Sequence, residues 1–118
     1  MAKVAFNKLG LKIDTSINNL QWEDVSIEVK KYLPIEEKIE LVANVVNNSS
    51  DDNGYYNPIK VKIFLALEIM YHYTNINFTD KMKETPLKLY DQLTSSKLYN
   101  AVIELIDENE FMDIVESV

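Results

Sequence analysis

The alternation of apolar and polar positions separates a strand-like first third of the chain from a helical remainder. Residues 25–30 alternate between apolar and polar side chains, as in a half-buried strand. Residues 2–14 alternate at both ends with a break in the middle, which predicts a bulged strand or a short hairpin, whereas the polar residues within 14–19 predict turns. We therefore expect a small antiparallel β unit within residues 1–33, packed on the helices or on a partner because so few strands are unstable alone.

Residues 34–118 place apolar side chains at three- and four-residue spacing, which predicts a compact bundle of about five helices. Proline fits the first turn of three of these helices. The helix that begins at Pro58 is apolar on nearly every side as far as Tyr73, so we expect it at the centre of the fold or in an interface. The predicted fold class is α+β, mainly α, with the β unit and the helical part in a single domain, 1–118.

The first and last predicted helices each carry one apolar stripe, which indicates a buried face. We expect the last stripe to pack on the fold, with docking on a partner as the alternative. The first stripe consists of Ile35, Ile39, Val42, Val45 and Val46, and the last consists of Phe111, Ile114, Val115 and Val118. Helix caps are expected at Asn57, at Thr79, at Ser95 or Ser96, and at Asp107, which precedes the last helix. The acidic side chains of that helix are then expected to point outward; they are Glu108, Glu110, Asp113 and Glu116.

Composition is that of a folded, globular chain, with 47% hydrophobic and 26% charged residues. The absence of cysteine excludes disulfides and thiolate metal sites.

The longest apolar stretch, residues 63–73, is too short for a membrane span and contains Glu68 and His72, so we expect no membrane contact. The first residues lack an apolar signal region, which favours a cytoplasmic location in the cell that makes the protein.

The charge balance argues against a specific nucleic-acid reader. Nineteen acidic residues oppose twelve basic ones, and the formal net charge is −7. Every basic residue is lysine, whereas recognition of phosphates and base edges usually draws on the arginine fork. An AT-rich coding sequence is the simpler explanation for the missing arginine. We expect no direct nucleic-acid binding under either explanation.

No residue pattern in the chain predicts a reaction centre. His72 is the only histidine, so a structural role near the end of its helix is favoured over catalysis. The glutamates at 36, 37 and 40 are interleaved with lysine and fit a solvated helix face better than a metal site. Residues 51–54 lack the ligand spacing of a calcium loop and fit a turn. We expect no catalytic residue, no metal and no cofactor, and therefore not an enzyme.

Two features favour binding to a protein partner. Tyr55 and Tyr56 lie in a predicted loop, and tyrosine is a good interface anchor, although many tyrosines only complete the edge of a core. Charge is also distributed unevenly: residues 1–12 carry three lysines and no acid, whereas residues 104–118 carry six acids and no lysine. The predicted partner-binding residues are Tyr55, Tyr56, Glu104, Asp107, Glu108, Glu110, Asp113 and Glu116.

Between Val25 and Phe111, the chain resembles a family of small proteins encoded by phages and prophages of Gram-positive bacteria. The run VSIEVKKYLPIEEKIELV and the later segment NPIKVKIFLALEIMYHYTNINFTD carry the resemblance, which is a hydrophobic pattern and not a reaction motif. Genes of this family often lie among those for virion structure and assembly. The resemblance implies no catalytic residues.

Two functions of different classes are consistent with these features. The first is a non-enzymatic protein of virion structure or assembly, which buries apolar and tyrosine-rich surface against itself or against a virion protein. The alternative is a small acidic inhibitor of a host anti-phage nuclease, anti-CRISPR-like or a DNA mimic, in which the acidic segment 104–116 occupies a basic channel. The expected partners are a virion protein, a second copy of the chain or a host defence nuclease, and the expected location is the host cytoplasm or the virion.

Overall fold

A computed structural model describes residues 2–118 as an α+β fold that is mainly α, with 56% of residues in helices and 13% in strands. Met1, which belongs to the predicted unit 1–33, lies outside the described residues. The elements are β1 (Ile17–Trp22), β2 (Val25–Lys30), α1 (Ile35–Ser49), α2 (Pro58–Tyr73), α3 (Asp80–Lys83), α4 (Pro86–Ser95), α5 (Leu98–Ile103) and α6 (Glu108–Ser117). The predicted fold class is confirmed.

The two strands form an antiparallel hairpin, with Ile17 opposite Lys30 and Trp22 opposite Val25. The predicted strand at 25–30 is confirmed. The turn predicted at Asn18 and its neighbour is wrong, because these residues pair with β2. The Asn18 side-chain amide donates a hydrogen bond to the Leu105 carbonyl at 2.8 Å, a tertiary contact that satisfies this polar group within the strand.

Residues 2–14 form neither the predicted bulged strand nor a hairpin. They contain a single 3₁₀ turn, Phe6–Leu9, which ends at Gly10 in the left-handed conformation with φ of 64°. Gly10 adopts this conformation without strain because it lacks a Cβ. All of these residues are exposed, so the apolar alternation here does not describe a buried face.

The centre of the fold is α2, as its all-round apolar sequence predicts. Five consecutive residues, Ala66–Met70, are buried, which requires neighbours on every side of the helix. The helix begins as expected: the Asn57 side chain accepts hydrogen bonds from the backbone amides of Ile59 and Lys60, and Pro58 occupies the first turn. α1 packs along α2, and both contribute to one core cluster with β2, α4, α5 and α6.

The chain that leaves α2 joins the hairpin to the helices. Thr74 forms an isolated antiparallel bridge with Val29. Next to it, the Asn75 amide donates to the Glu28 carbonyl at 3.2 Å, and the Glu28 amide donates to the Asn75 side chain at 2.9 Å. The segment after α2 therefore covers one edge of β2 and supplies the support that a two-stranded hairpin needs.

Local capping signals set the bounds of the later helices. The Thr79 hydroxyl accepts from the Met82 amide, and the Asp107 carboxylate accepts from the Glu110 amide, so both predicted caps are confirmed. The cap residue of α5 is Lys97 and not the expected serine, although the Ser96 hydroxyl accepts from the first amide of that helix at 3.4 Å. Within the described residues, each helix is too short or too polar to cross a membrane.

Candidate functional site

α1 has two apolar faces, of which only one enters the core. Lys38, Leu41 and Val45 are buried toward α2 and α6, whereas Ile35 and Ile39 are exposed. The predicted core stripe of α1 is therefore wrong at its first two positions. Leu41 and Val45 fix which side of the helix is buried, and Ile39 lies on the other side.

The outward apolar face of α1 and the edge of α6 form an open groove of about 480 Å³. Its lining residues are Ile35, Lys38, Ile39, Val42, Ala43, Val46 and Asn47 of α1 with Asp113, Ile114 and Ser117 of α6. The groove is thus apolar along its length, with one exposed carboxylate, that of Asp113, at its edge. An uncovered apolar surface of this kind is typical of a protein-binding site.

A buried ion pair between Lys38 and Glu110 holds the two helices of the groove together. The Lys38 Nζ lies 2.5 Å from the Glu110 carboxylate and 3.7 Å from the Asp113 carboxylate. The Tyr73 hydroxyl donates to the same Glu110 oxygen at 3.3 Å. Burial opposes the charge on Lys38, but the hydrogen bond and charge of Glu110 outweigh it and raise the pKa of Lys38. Burial, together with Glu110, also raises the pKa of Tyr73.

The expectation that Glu110 points outward is wrong. Its side chain is buried, and its carboxylate forms an ion pair with Lys38 and accepts a hydrogen bond from Tyr73. The other acidic residues assigned to partner binding are exposed: Glu104, Asp107, Glu108, Asp113 and Glu116. The acidic surface of the last helix is therefore real, but it has one carboxylate fewer than the sequence indicates.

The apolar N-terminal segment is uncovered along its whole length. Residues 2–13, called the arm below, carry five exposed large apolar side chains: Val4, Phe6, Leu9, Leu11 and Ile13. The radius of gyration is 16.8 Å, larger than the roughly 13–14 Å of a compact chain of this length. The arm therefore leaves five large apolar side chains in contact with water.

Tyr55 and Tyr56 are exposed in the loop between α1 and α2. Two backbone hydrogen bonds close this loop. The Asp51 amide donates to the Tyr55 carbonyl at 2.7 Å, and the Asn57 amide donates to the Ser49 carbonyl at 2.9 Å. The two tyrosines do not line the α1/α6 groove. They present a separate, rigidly supported aromatic surface.

A second cavity, of about 440 Å³, is polar and contains the single histidine. His72 Nε2 lies 3.8 Å from the Glu68 carboxylate, and Nδ1 lies 3.8 Å from that of Glu37. Burial raises the pKa of Glu68, against the opposing effects of Asn44, His72 and Lys83. Within residues 2–118, no cluster of three or more histidine, aspartate and glutamate side chains has the arrangement of a metal site.

The apolar pattern of the sequence predicts neither the groove nor the role of Lys38. A signal for Lys38 does exist: it precedes Leu41 by three residues and Val45 by seven, so it shares their buried face. A lysine on that face requires a buried acid as its partner. The identity of that acid depends on how α6 docks, which is a tertiary property.

Protein-family models, curated proteins and solved structures contain no match to this chain.

Proposed function

We propose that the protein acts through protein–protein contacts, without catalysis, as a structural or assembly component of a phage particle. The observation that carries the proposal is the uncovered apolar surface of the arm. Ordinary monomers rarely leave such a contiguous apolar segment in water. The resemblance of residues 25–111 to phage-encoded proteins supports the assignment to a phage, and the implied location is the host cytoplasm during assembly or the virion itself.

The direct test is the composition of particles from a culture that expresses the gene within its phage. Mature particles and assembly intermediates are separated by density and analysed by mass spectrometry. We expect the protein in at least one of the two fractions. A double variant, Phe6→Asp with Leu9→Asp, makes the arm polar and is expected to lower its recovery in particles, whereas Leu87→Asp, at an exposed apolar residue outside the arm, is the matched control.

Absence of the protein from both fractions, while it is abundant in the cell, would reject the structural or assembly function. Equal recovery of the arm variant and the parent would show that the arm does not carry the contact. The two results are separate, because the first concerns the function and the second concerns the surface.

The exposed acids favour a second candidate function, inhibition of a host anti-phage nuclease. Glu104, Asp107, Glu108 and Glu116 lie on the surface around α6, and such a surface can occupy a basic nucleic-acid channel. Charge reversal at Glu108 and Glu116 together is the appropriate test, and Glu110 is unsuitable because it is buried. If the protein is such an inhibitor, the double charge reversal should abolish its binding to the purified nuclease. Unchanged binding would contradict mimicry of nucleic acid by the acidic surface.

A further inference from the structure

The arm and the α1/α6 groove are complementary in chemistry. The arm presents Phe6 and Leu9 on its 3₁₀ turn, exposed by 73% and 55%. The groove presents Ile35 and Ile39, exposed by 62% and 63%, beside Val42. Each surface leaves apolar area in water that the other could cover, which is the main source of free energy for association.

Their charges are also complementary. The arm carries Lys3, Lys8 and Lys12 and no acid, whereas residues 104–118 carry six acids and no lysine, and five of these acids are exposed. Asp113, whose side chain is 64% exposed, lies at the edge of the groove. Opposite charges around an apolar contact steer encounter and fix the register of binding.

The dimensions permit the arm to lie along the groove. Twelve residues reach about 40 Å when fully extended, and the 3₁₀ turn at Phe6–Leu9 shortens this reach to about 35 Å. Residues 35–47 of α1, which form the long side of the groove, span about 20 Å. The arm is therefore long enough to cover the groove and to bridge a gap between two molecules.

In the structure, the arm does not lie in the groove of its own molecule. No arm residue lines the groove; instead, Phe6, Leu11 and the base of the arm line a separate open cavity with Tyr32. The arm leaves the body through a turn in which the Ser16 amide and hydroxyl both donate to the Asp14 carboxylate, at 2.8 and 2.5 Å. The apolar side chains of the arm remain exposed beyond this turn and are therefore available to a second molecule.

We infer that the arm of one copy binds the α1/α6 groove of a second copy of this chain. Phe6 and Leu9 contact the isoleucines of α1, and the arm lysines lie near the acids of α6. This inference rests on the proposed function in protein–protein contacts and names the partner. Each molecule carries one arm and one groove, so two copies can exchange arms reciprocally, or successive copies can join head to tail.

The test compares the molecular mass in solution of the full chain and of variants in each half of the contact. Sedimentation velocity over a range of concentrations is expected to show association of the parent. Phe6→Asp in the arm and Ile39→Asp in the groove are each expected to weaken association by more than about tenfold. Ile59→Asp is the matched control, because Ile59 has the same side chain and 64% exposure but lies outside the groove.

A mixing experiment makes the test specific. The Phe6→Asp protein retains an intact groove, and the Ile39→Asp protein retains an intact arm. An equimolar mixture is therefore expected to form a one-to-one complex at concentrations at which neither variant associates alone. Circular dichroism melts of both variants verify that they remain folded, as their exposed positions predict.

Three results would overturn the inference: a parent that is monomeric at every concentration, variants that associate like the parent, or a mixture that stays monomeric. A monomeric parent whose arm is protected from proteolysis would show that the arm binds its own groove. None of these results bears on whether the protein occurs in particles, so failure of this inference is distinguishable from failure of the proposed function.

Discussion

Lys38 and Glu110 form an ion pair of 2.5 Å between α1 and α6, and their side chains are only 11% and 6% exposed. The Lys38 ammonium also lies 4.3 Å from the centroid of the Tyr32 ring. Among residues 2–118, every buried side-chain nitrogen and oxygen has a hydrogen-bond partner. Glu110, which the sequence pattern places on a charged surface, is therefore a structural residue that fixes α6 on the core.

Removal of one member of this pair is expected to destabilise the fold strongly. Glu110→Ala leaves the buried Lys38 ammonium without its closest carboxylate, and such a loss costs about 3–5 kcal/mol. Urea denaturation followed by circular dichroism measures the change. Glu108→Ala, at an exposed neighbour on the same helix, is the control and should change the unfolding free energy by less than about 0.5 kcal/mol.

The double replacement Lys38→Met with Glu110→Leu separates the loss of the pair from the burial of an unpaired charge. Apolar side chains of similar size carry no such penalty, so the double variant should be more stable than Glu110→Ala. If the single and double variants lose the same stability, the ion pair is not the cause, and the geometry of α6 has changed for another reason.

Truncation of a buried apolar side chain of α6 should cost much more stability than truncation of an exposed apolar side chain of α1. Ile114 is 1% exposed, and Ile114→Ala is expected to cost about 3 kcal/mol. Ile39→Ala removes the same atoms from an exposed position and should cost less than about 0.5 kcal/mol. Thermal melts of both variants at low protein concentration provide the comparison. A large loss for Ile39→Ala would show that the outward face of α1 is covered within the monomer.

Short-range signals predicted the parts of the fold that short-range physics determines. Asn57 with Pro58, Thr79 and Asp107 each mark a helix start, because a side-chain oxygen satisfies a free backbone amide at that position. The central position of α2 follows from its all-round apolar sequence. These features depend on a few neighbouring residues and need no knowledge of the tertiary structure.

The parts that sequence patterns did not predict depend on packing partners. The alternation in residues 2–14 is compatible with a strand, but a strand requires a neighbouring strand, and the two-stranded sheet consists of β1 and β2 alone, so these residues have no pairing partner among the described residues. Ile39 and Leu41 are equally apolar, and only the docking of α2 and α6 decides which of them is buried. The candidate site consists of surfaces left uncovered, which no local pattern specifies.

Glu68 should make stability depend on pH in a defined direction. Burial raises the pKa of its carboxyl above the ordinary value of 4.5, so the folded state retains this proton to higher pH than the unfolded state. Its contribution to stability is therefore fully present below about pH 4.5 and is lost as the pH rises through the folded pKa. His72 and Lys83, which face Glu68, reduce this loss, and Glu40 increases it.

The variant Glu68→Gln removes this titration. Compared with the variant, the parent is expected to lose stability as the pH rises from about 4 to about 7, as measured by urea midpoints at each pH. Glu36→Gln, at an exposed position of α1, is the control and should follow the parent. A difference between parent and Glu68→Gln that is constant with pH would contradict the assignment of the raised pKa to Glu68.

Lys97 should be a site of stabilising substitution. It joins α4 to α5 in the left-handed conformation, with φ of 71°, and its amide donates to the Thr94 carbonyl at 3.2 Å. A side chain with a Cβ costs roughly 1–2 kcal/mol in this conformation, whereas glycine adopts it freely at a helix end. Because glycine also gains entropy in the unfolded state, Lys97→Gly is expected to raise the unfolding free energy by only about 0.5–1 kcal/mol.

Lys97→Ala keeps the Cβ and removes the charge, so it is the matched control and should leave the unfolding free energy nearly unchanged. Equal effects of the two substitutions in urea denaturation would attribute any gain to the lost charge and not to the backbone conformation.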